Sequence, residues 1–147
     1  MTRPNAVIAV GAGILAAACS VDLSDPRDRP HDGTSEVGTY ALVDVGGQPL
    51  PAPFHEDGVT LTYIFGELEL REDTTYRHRR VFHYSNMADT TVLEMSGQYE
   101  RDGSELIFGG QPVLQGPSYY ADGEIDYPGP IIDGDEKTLH YVRIEEP

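Results

Sequence analysis

The sequence predicts an all-β domain, and three observations carry that prediction. From residue 36 onward, apolar and polar residues alternate with a period of two, the spacing of side chains on one face of a strand. Turn dipeptides such as Asp57-Gly58 and Asp102-Gly103 separate these runs. No segment of residues 36–147 has a sustained helical stripe of apolar residues. Short strands at this spacing indicate an antiparallel sandwich or barrel.

Eight alternating runs follow one another along the domain. In chain order they are 40–42, 59–65, 68–70, 76–84, 93–99, 106–108, 125–127 and 139–141. The turn signals between them are Gly46-Gly47, Asp57-Gly58, Gly66, Glu72-Asp73, Asp102-Gly103, Asp122-Gly123 and Asp133-Gly134. A short helix is compatible with 51–57 or 111–117, although the prolines in both segments limit its length. Closing about eight strands into a barrel would remove exposed sheet edges.

Length, charge and cysteine count exclude several classes of protein. The chain has 147 residues, which is enough for one domain with appendages. Its formal net charge of -15 would repel phosphate backbones, so nucleic-acid binding is not expected. One cysteine rules out an intramolecular disulfide framework and a multi-cysteine metal cluster.

The first residues have the pattern of an export signal. Arg3 precedes an unbroken run of Ala, Val, Ile, Leu and Gly over 6–18, which is too short for a membrane span of about 20 residues. Three alanines directly before Cys19 resemble the lipobox of bacterial lipoproteins, although Ala16 stands where a large aliphatic residue is usual. The resemblance implies that residues 1–18 are a cleaved signal peptide and that Cys19 carries the lipid. A plain secretory signal and a short buried helix are the alternatives.

Residues 19–35 are predicted to be the acylated cysteine followed by a flexible acidic tether. The segment contains Pro26, Pro30 and four aspartates with little apolar content, so it cannot bury enough surface to offset its own ordering entropy. Bacterial sorting rules, which the lipoprotein resemblance brings in, favour the outer membrane when the residue after the cysteine is not Asp, and here it is Ser20. The expected location is therefore the cell envelope, in the outer membrane if the host has one.

The start and the end of the domain resemble lipocalin-type barrels. Gly38-Thr39-Tyr40 opens the first run and Tyr141-Val142-Arg143 closes the last, in the positions of the lipocalin Gly-x-Trp and its packing Arg. The order of Gly47-Gln48-Pro49, Gly97-Gln98-Tyr99 and Asp102-Gly103 is also similar to small lipocalin-like bacterial lipoproteins. The resemblance covers 37–144. It implies an up-and-down barrel with Arg143 stacked on Tyr40 at one end, a cation–π contact of about 1–2 kcal/mol.

The run from Tyr76 to Tyr84 suggests where a ligand would bind. Strand alternation puts Tyr76, His78, Arg80 and Phe82 on one face, and the aromatic residues indicate that this face is inside. An inward guanidinium needs a carboxylate, a carbonyl or an anionic ligand to accept its hydrogen bonds. We expect Arg80 and His78, with Tyr63 and Tyr76 as apolar walls, to hold a small apolar or anionic ligand. The alternatives are an internal ion pair or a strand end at which both residues reach water.

No catalytic, metal or cofactor site is expected. The five histidines, His31, His55, His78, His83 and His140, have no ligand spacing. Asp133, Asp135 and Glu136 lack the full calcium-loop pattern, and the segment from Gly116 to Tyr120 ends in Tyr where a nucleophile elbow needs Gly. The function expected is that of a lipid-anchored binding or structural module of the envelope. A β-sandwich adhesion or assembly module and a small hydrolase are the rival hypotheses.

Overall fold

The computed structural model describes residues 35–110 and 116–144. The strands are β1 (Gly38–Val45), β2 (Gln48–Pro49), β3 (Ala52–Glu56), β4 (Val59–Leu70), β5 (Thr75–Tyr84), β6 (Thr90–Asp102), β7 (Glu105–Phe108), β8 (Ser118–Ala121), β9 (Glu124–Tyr127), β10 (Ile131–Ile132), β11 (Asp135–Glu136) and β12 (Leu139–Arg143). The predicted signal peptide, Cys19 and all but the last residue of the tether lie outside the described residues. Within the described ranges, no helix is long and apolar enough to cross a membrane.

Eight of these strands close into an up-and-down antiparallel barrel, as predicted. Each of β1, β4, β5, β6, β7, β8, β9 and β12 pairs with the next in chain order, and β12 pairs with β1. Because β1 is hydrogen-bonded to β4 on one side and to β12 on the other, the sheet has no free lateral edge at that seam. The sandwich that the alternation left open is therefore wrong.

β4 joins two of the predicted runs into one strand. Its first half pairs with β3 and its second half with β1. Its pairing with β5 shifts in register between Tyr63 and Phe65. Gly66 was expected to be a turn, and that expectation is wrong because it lies inside β4. A side chain there would place its Cβ 2.7 Å from the Leu42 Cβ, so glycine is required by close packing rather than by a turn.

Two further segments differ from the prediction. Residues 52–56 form strand β3 rather than a short helix, and Pro53 is tolerated because β3 is the last strand of the described sheet. Ser118–Ala121 forms strand β8, which the sequence pattern did not reveal. Ser118, Tyr120 and Ala121 are all buried, so the strand lacks a clean alternation. Of the second segment in which a helix was considered, residues 111–115 lie outside the described residues.

Tyrosine rings and aliphatic side chains fill much of the interior. Five tyrosines at strand positions are almost fully buried: Tyr40, Tyr76, Tyr120, Tyr127 and Tyr141. We call the end of the barrel that contains Tyr40, Tyr120 and Arg143 the closed end. We call the opposite end, which contains Leu61 and Tyr84, the mouth. β4 and β5 run the whole length between the two ends.

Candidate functional site

Strand β5 brings the predicted site residues into the barrel. Tyr76, His78 and Arg80 are buried, whereas Arg77 and Arg79 of the other face reach solvent and approach Glu94 at 3.3 and 3.4 Å. The inward phase expected from the aromatic residues is therefore confirmed. One strand carries cations on both faces, and only the outer ones have an acidic partner in the described part of the chain.

Arg80 is the inward cation, and the residue is only 7% exposed. It pairs in register with Gly66 of β4 and Leu93 of β6. Its Nε is buried and has no hydrogen-bond partner among residues 35–110 and 116–144. Its guanidinium carbon lies 5.9 Å from the centroid of the Tyr127 ring, a contact that partly offsets the cost of burying the charge. A cation–π contact at that distance contributes about 0.5–2 kcal/mol, less than the several kcal/mol that desolvating a guanidinium costs.

His78 lies one inward position deeper and is fully buried. Its Nε2 is 2.6 Å from the Tyr141 hydroxyl, and its ring is edge-on to Tyr127 at 4.6 Å between centroids. Burial and the nearby charge of Arg80 lower the pKa of His78 to about 3, so the imidazole is neutral at physiological pH. Its Nδ1 is buried without a partner in the described residues. When the Tyr141 hydroxyl donates to Nε2, Nδ1 carries the proton and is a free donor.

The two predicted tyrosines occupy different positions. Tyr63 is buried on β4, contacts the Phe82 ring at 5.8 Å between centroids, and lies close enough to Arg80 for the cation to influence its pKa. Burial nevertheless raises the pKa of Tyr63. Tyr76 is about 13 Å from Arg80 along β5. Its hydroxyl donates to the Gly109 carbonyl at 2.8 Å and its ring packs on Phe108. Tyr63 therefore borders the Arg80 region, and Tyr76 belongs to the packed half of the barrel.

A pocket of about 200 Å³ opens at the mouth. Its walls are formed by Phe54, Glu56, Val59, Leu61, Tyr84, Pro130, Ile131 and Ile132. A ladder of ring contacts leads inward from it, with Phe54 against Tyr63, Tyr84 against Phe82, and Phe82 against Tyr63 at 5.6–6.5 Å between centroids. Arg80 is the next inward residue of β5 below Phe82. The pocket is thus linked to Arg80 by apolar rings.

The closed end is held by the expected pair and by residues that the sequence did not single out. Tyr40 and Arg143 are partners in register, and the guanidinium carbon lies 5.4 Å from the Tyr40 ring centroid, which confirms the predicted contact. The guanidinium also donates to the Tyr40 hydroxyl at 2.8 Å, to the Tyr120 hydroxyl at 3.2 Å and to the Ser35 carbonyl. Burial raises the pKa of Tyr40 to about 12, although Arg143 opposes the shift.

A second ion pair ties the start of the domain to the same end. Arg101 donates to the Glu36 carboxylate at 2.7 Å and stacks over the Tyr120 ring at 4.7 Å. Burial disfavours the charged carboxylate, but the hydrogen bond and charge of Arg101 outweigh it and lower the pKa of Glu36. Tyr99 also donates to Glu36, at 3.3 Å. These contacts occupy the closed end of the barrel.

The residues missed by sequence reasoning are partners across long stretches of chain. Tyr141 and His78 are 63 positions apart, as are Tyr99 and Glu36. The alternation of Leu139, Tyr141 and Arg143 could have placed Tyr141 inside the barrel. No local signal identifies His78 as its partner, because that pairing depends on how the barrel closes.

The fold and the interior define the class of this protein: a closed eight-stranded antiparallel barrel with one plugged end and a buried cation near an apolar mouth. No protein-family model, curated protein or solved structure matches the chain. In the described ranges, no three His, Cys, Asp or Glu side chains come together in a way that would hold a metal ion.

Proposed function

We propose that this protein is a lipid-anchored binding protein of the bacterial cell envelope whose ligand site is the barrel interior. The lipid would be carried by Cys19, after removal of residues 1–18, and the tether would connect it to the barrel. Ser35 and Glu36 are bound at the closed end. The tether would therefore join the barrel at the closed end, opposite the mouth.

One observation carries the binding proposal: the burial of Arg80 with no acceptor for its Nε in the described part of the chain. A folded protein rarely buries an arginine nitrogen without an acceptor, since arginine in protein interiors is normally paired. An interior whose only need was packing would be served better by Met or Leu at this position. The cost of burying Arg80 is explained if a bound molecule supplies the missing acceptor.

The mouth supports the same proposal. Its pocket is lined mainly by apolar side chains with one carboxylate, Glu56, and its size suits a small ligand rather than a drug-sized one. The aromatic ladder behind it offers flat apolar surfaces that a ligand would contact on the way to Arg80.

Nuclear magnetic resonance of the full-length chain with indole, a small neutral aromatic probe, tests whether the interior binds ligands. We expect the shifted backbone signals to cluster at Phe82, Tyr63 and Tyr84. The Leu61→Trp variant fills the mouth pocket and should abolish these shifts, while Ile64→Trp, on the exposed side of the same strand, should preserve them. Shifts confined to the exposed outer residues Phe65 and Val92, or no shifts at all, would contradict interior binding.

A further inference from the structure

The interior around Arg80 has the character of an anion site. The guanidinium presents an unpartnered Nε, and the neutral imidazole of His78 presents an unpartnered Nδ1 on the same face of β5, two residues away. Neither atom has a hydrogen-bond partner in residues 35–110 and 116–144. When the Tyr141 hydroxyl donates to His78 Nε2, His78 Nδ1 carries a proton, so Nδ1 and Arg80 Nε are both hydrogen-bond donors. Two donors on adjacent inward positions suit the two oxygens of one acid group.

The charge of the site limits the ligand to one negative charge. Arg80 is the buried cation of the described core, and His78 beside it is neutral. A second negative charge would have no partner there and would have to be desolvated alone. The net charge of -15 and Glu56 at the mouth add repulsion that grows with every negative charge on the ligand.

The walls of the site specify the rest of the ligand. Between Arg80 and the mouth, the inward residues of β5 are Phe82 and Tyr84, and Tyr63 and Phe54 face them from β4 and β3. The inward positions from Arg80 to Tyr84 span about 13 Å along the strand. These rings pack on one another, so a ligand reaches Arg80 by separating them and then contacts their surfaces over most of its length. Its body is therefore apolar and its acid group is the innermost part.

We infer that the barrel interior takes a small amphipathic monoanion, with its acid group on Arg80 and His78 and its apolar body directed toward the mouth. This inference rests on the proposed binding function. It narrows that function from small molecules in general to a single chemical class and a single orientation.

Three probes that share one body but differ in charge test the inference. They are 3-phenylpropanoate, 3-phenylpropan-1-ol and 3-phenylpropylammonium, titrated into the full-length chain by isothermal calorimetry at neutral pH. We expect the acid to bind at least about tenfold more tightly than the alcohol, since a charge-assisted hydrogen bond to a buried group is lost in the alcohol. The ammonium should not bind.

Two substitutions on the same strand separate the site from general electrostatics. Arg80→Met should weaken binding of the acid by about ten- to a hundredfold and leave binding of the alcohol unchanged. Arg79→Met removes the same charge from the outer face and should change neither affinity by more than about twofold, because exposed charges are screened. Arg80→Lys retains the charge in the interior and should retain most of the preference for the acid.

The outcomes distinguish the monoanion inference from the proposed binding function on which it rests. Equal binding of acid and alcohol would overturn the monoanion class but leave an interior binding site intact. If Arg80→Met still prefers the acid and Arg79→Met does not, the acid binds at the outer face of the barrel, and the inference is wrong. If none of the three probes binds and indole shifts no interior signal, both the monoanion class and the proposed function are wrong.

Discussion

The buried neutral imidazole of His78 should make the barrel sensitive to mild acid. The pKa of His78 falls from its ordinary 6.5 to about 3 on folding. Between these two values the unfolded chain binds a proton that the folded chain does not, so the free energy of unfolding decreases as the pH decreases. The slope is about 1.4 kcal/mol per pH unit for one group. This contribution is complete about one pH unit above 6.5 and is lost progressively toward pH 3.

Replacing His78 with Phe keeps an aromatic ring in the core and removes the titrating group. Relative to its own value at pH 6.5, where the imidazole of the unfolded chain is already half protonated, the wild type should lose about 2.3 kcal/mol more than His78→Phe by about pH 4.5. The contributions of Asp and Glu residues to acid unfolding are common to both proteins and cancel in this comparison. Urea denaturation followed by far-ultraviolet circular dichroism at several pH values measures the difference.

Phe82→Leu is the matched control, because it weakens the core on the same strand without changing a titratable group. It should lower stability by a similar amount at every pH. If the stability difference between the wild type and His78→Phe is the same at pH 6.5 and pH 4.5, His78 is not held neutral in the interior, and the geometry of its contact with Tyr141 is wrong.

The remaining predictions concern the anchor, the domain, the closed end and the packing. Cys19→Ala should abolish incorporation of a clickable fatty acid in expressing cells, and label equal to the wild type would exclude lipidation at that residue. Residues 36–147 alone should give a far-ultraviolet spectrum dominated by strand signal, and a helical spectrum would contradict an autonomous barrel. Arg143→Met should lower the free energy of unfolding by about 1–3 kcal/mol, because hydroxyls of the closed end lose their donor. An unchanged midpoint of urea unfolding would show that these hydrogen bonds do not stabilise the barrel. Gly66→Ala should cost about 1–3 kcal/mol by overpacking against Leu42, and a more stable variant would refute that contact.

The alternation of residues was sufficient to predict the all-β class and the inward face of β5. Tyr76 and Phe82 indicated the buried phase, and Arg80 and His78 follow because side chains two apart share a face. The closed-end contact between Tyr40 and Arg143 was also predictable, through resemblance to barrels that pair their first and last strands. In each case the information lies within a few residues of one strand or at the two ends of the domain.

Only the tertiary structure decided which inward residues meet. Gly66 resembles a turn residue in the sequence, yet it is a strand residue whose missing side chain admits Leu42 from another strand. The bond between His78 and Tyr141 and the lack of an acceptor for Arg80 Nε in the described residues depend equally on closure. Strand periodicity determines on which side of the sheet a residue lies, because it is a local property of the backbone. The partner across the barrel depends on register and on the joining of β1 to β4 and β12, which are set by packing of the whole interior.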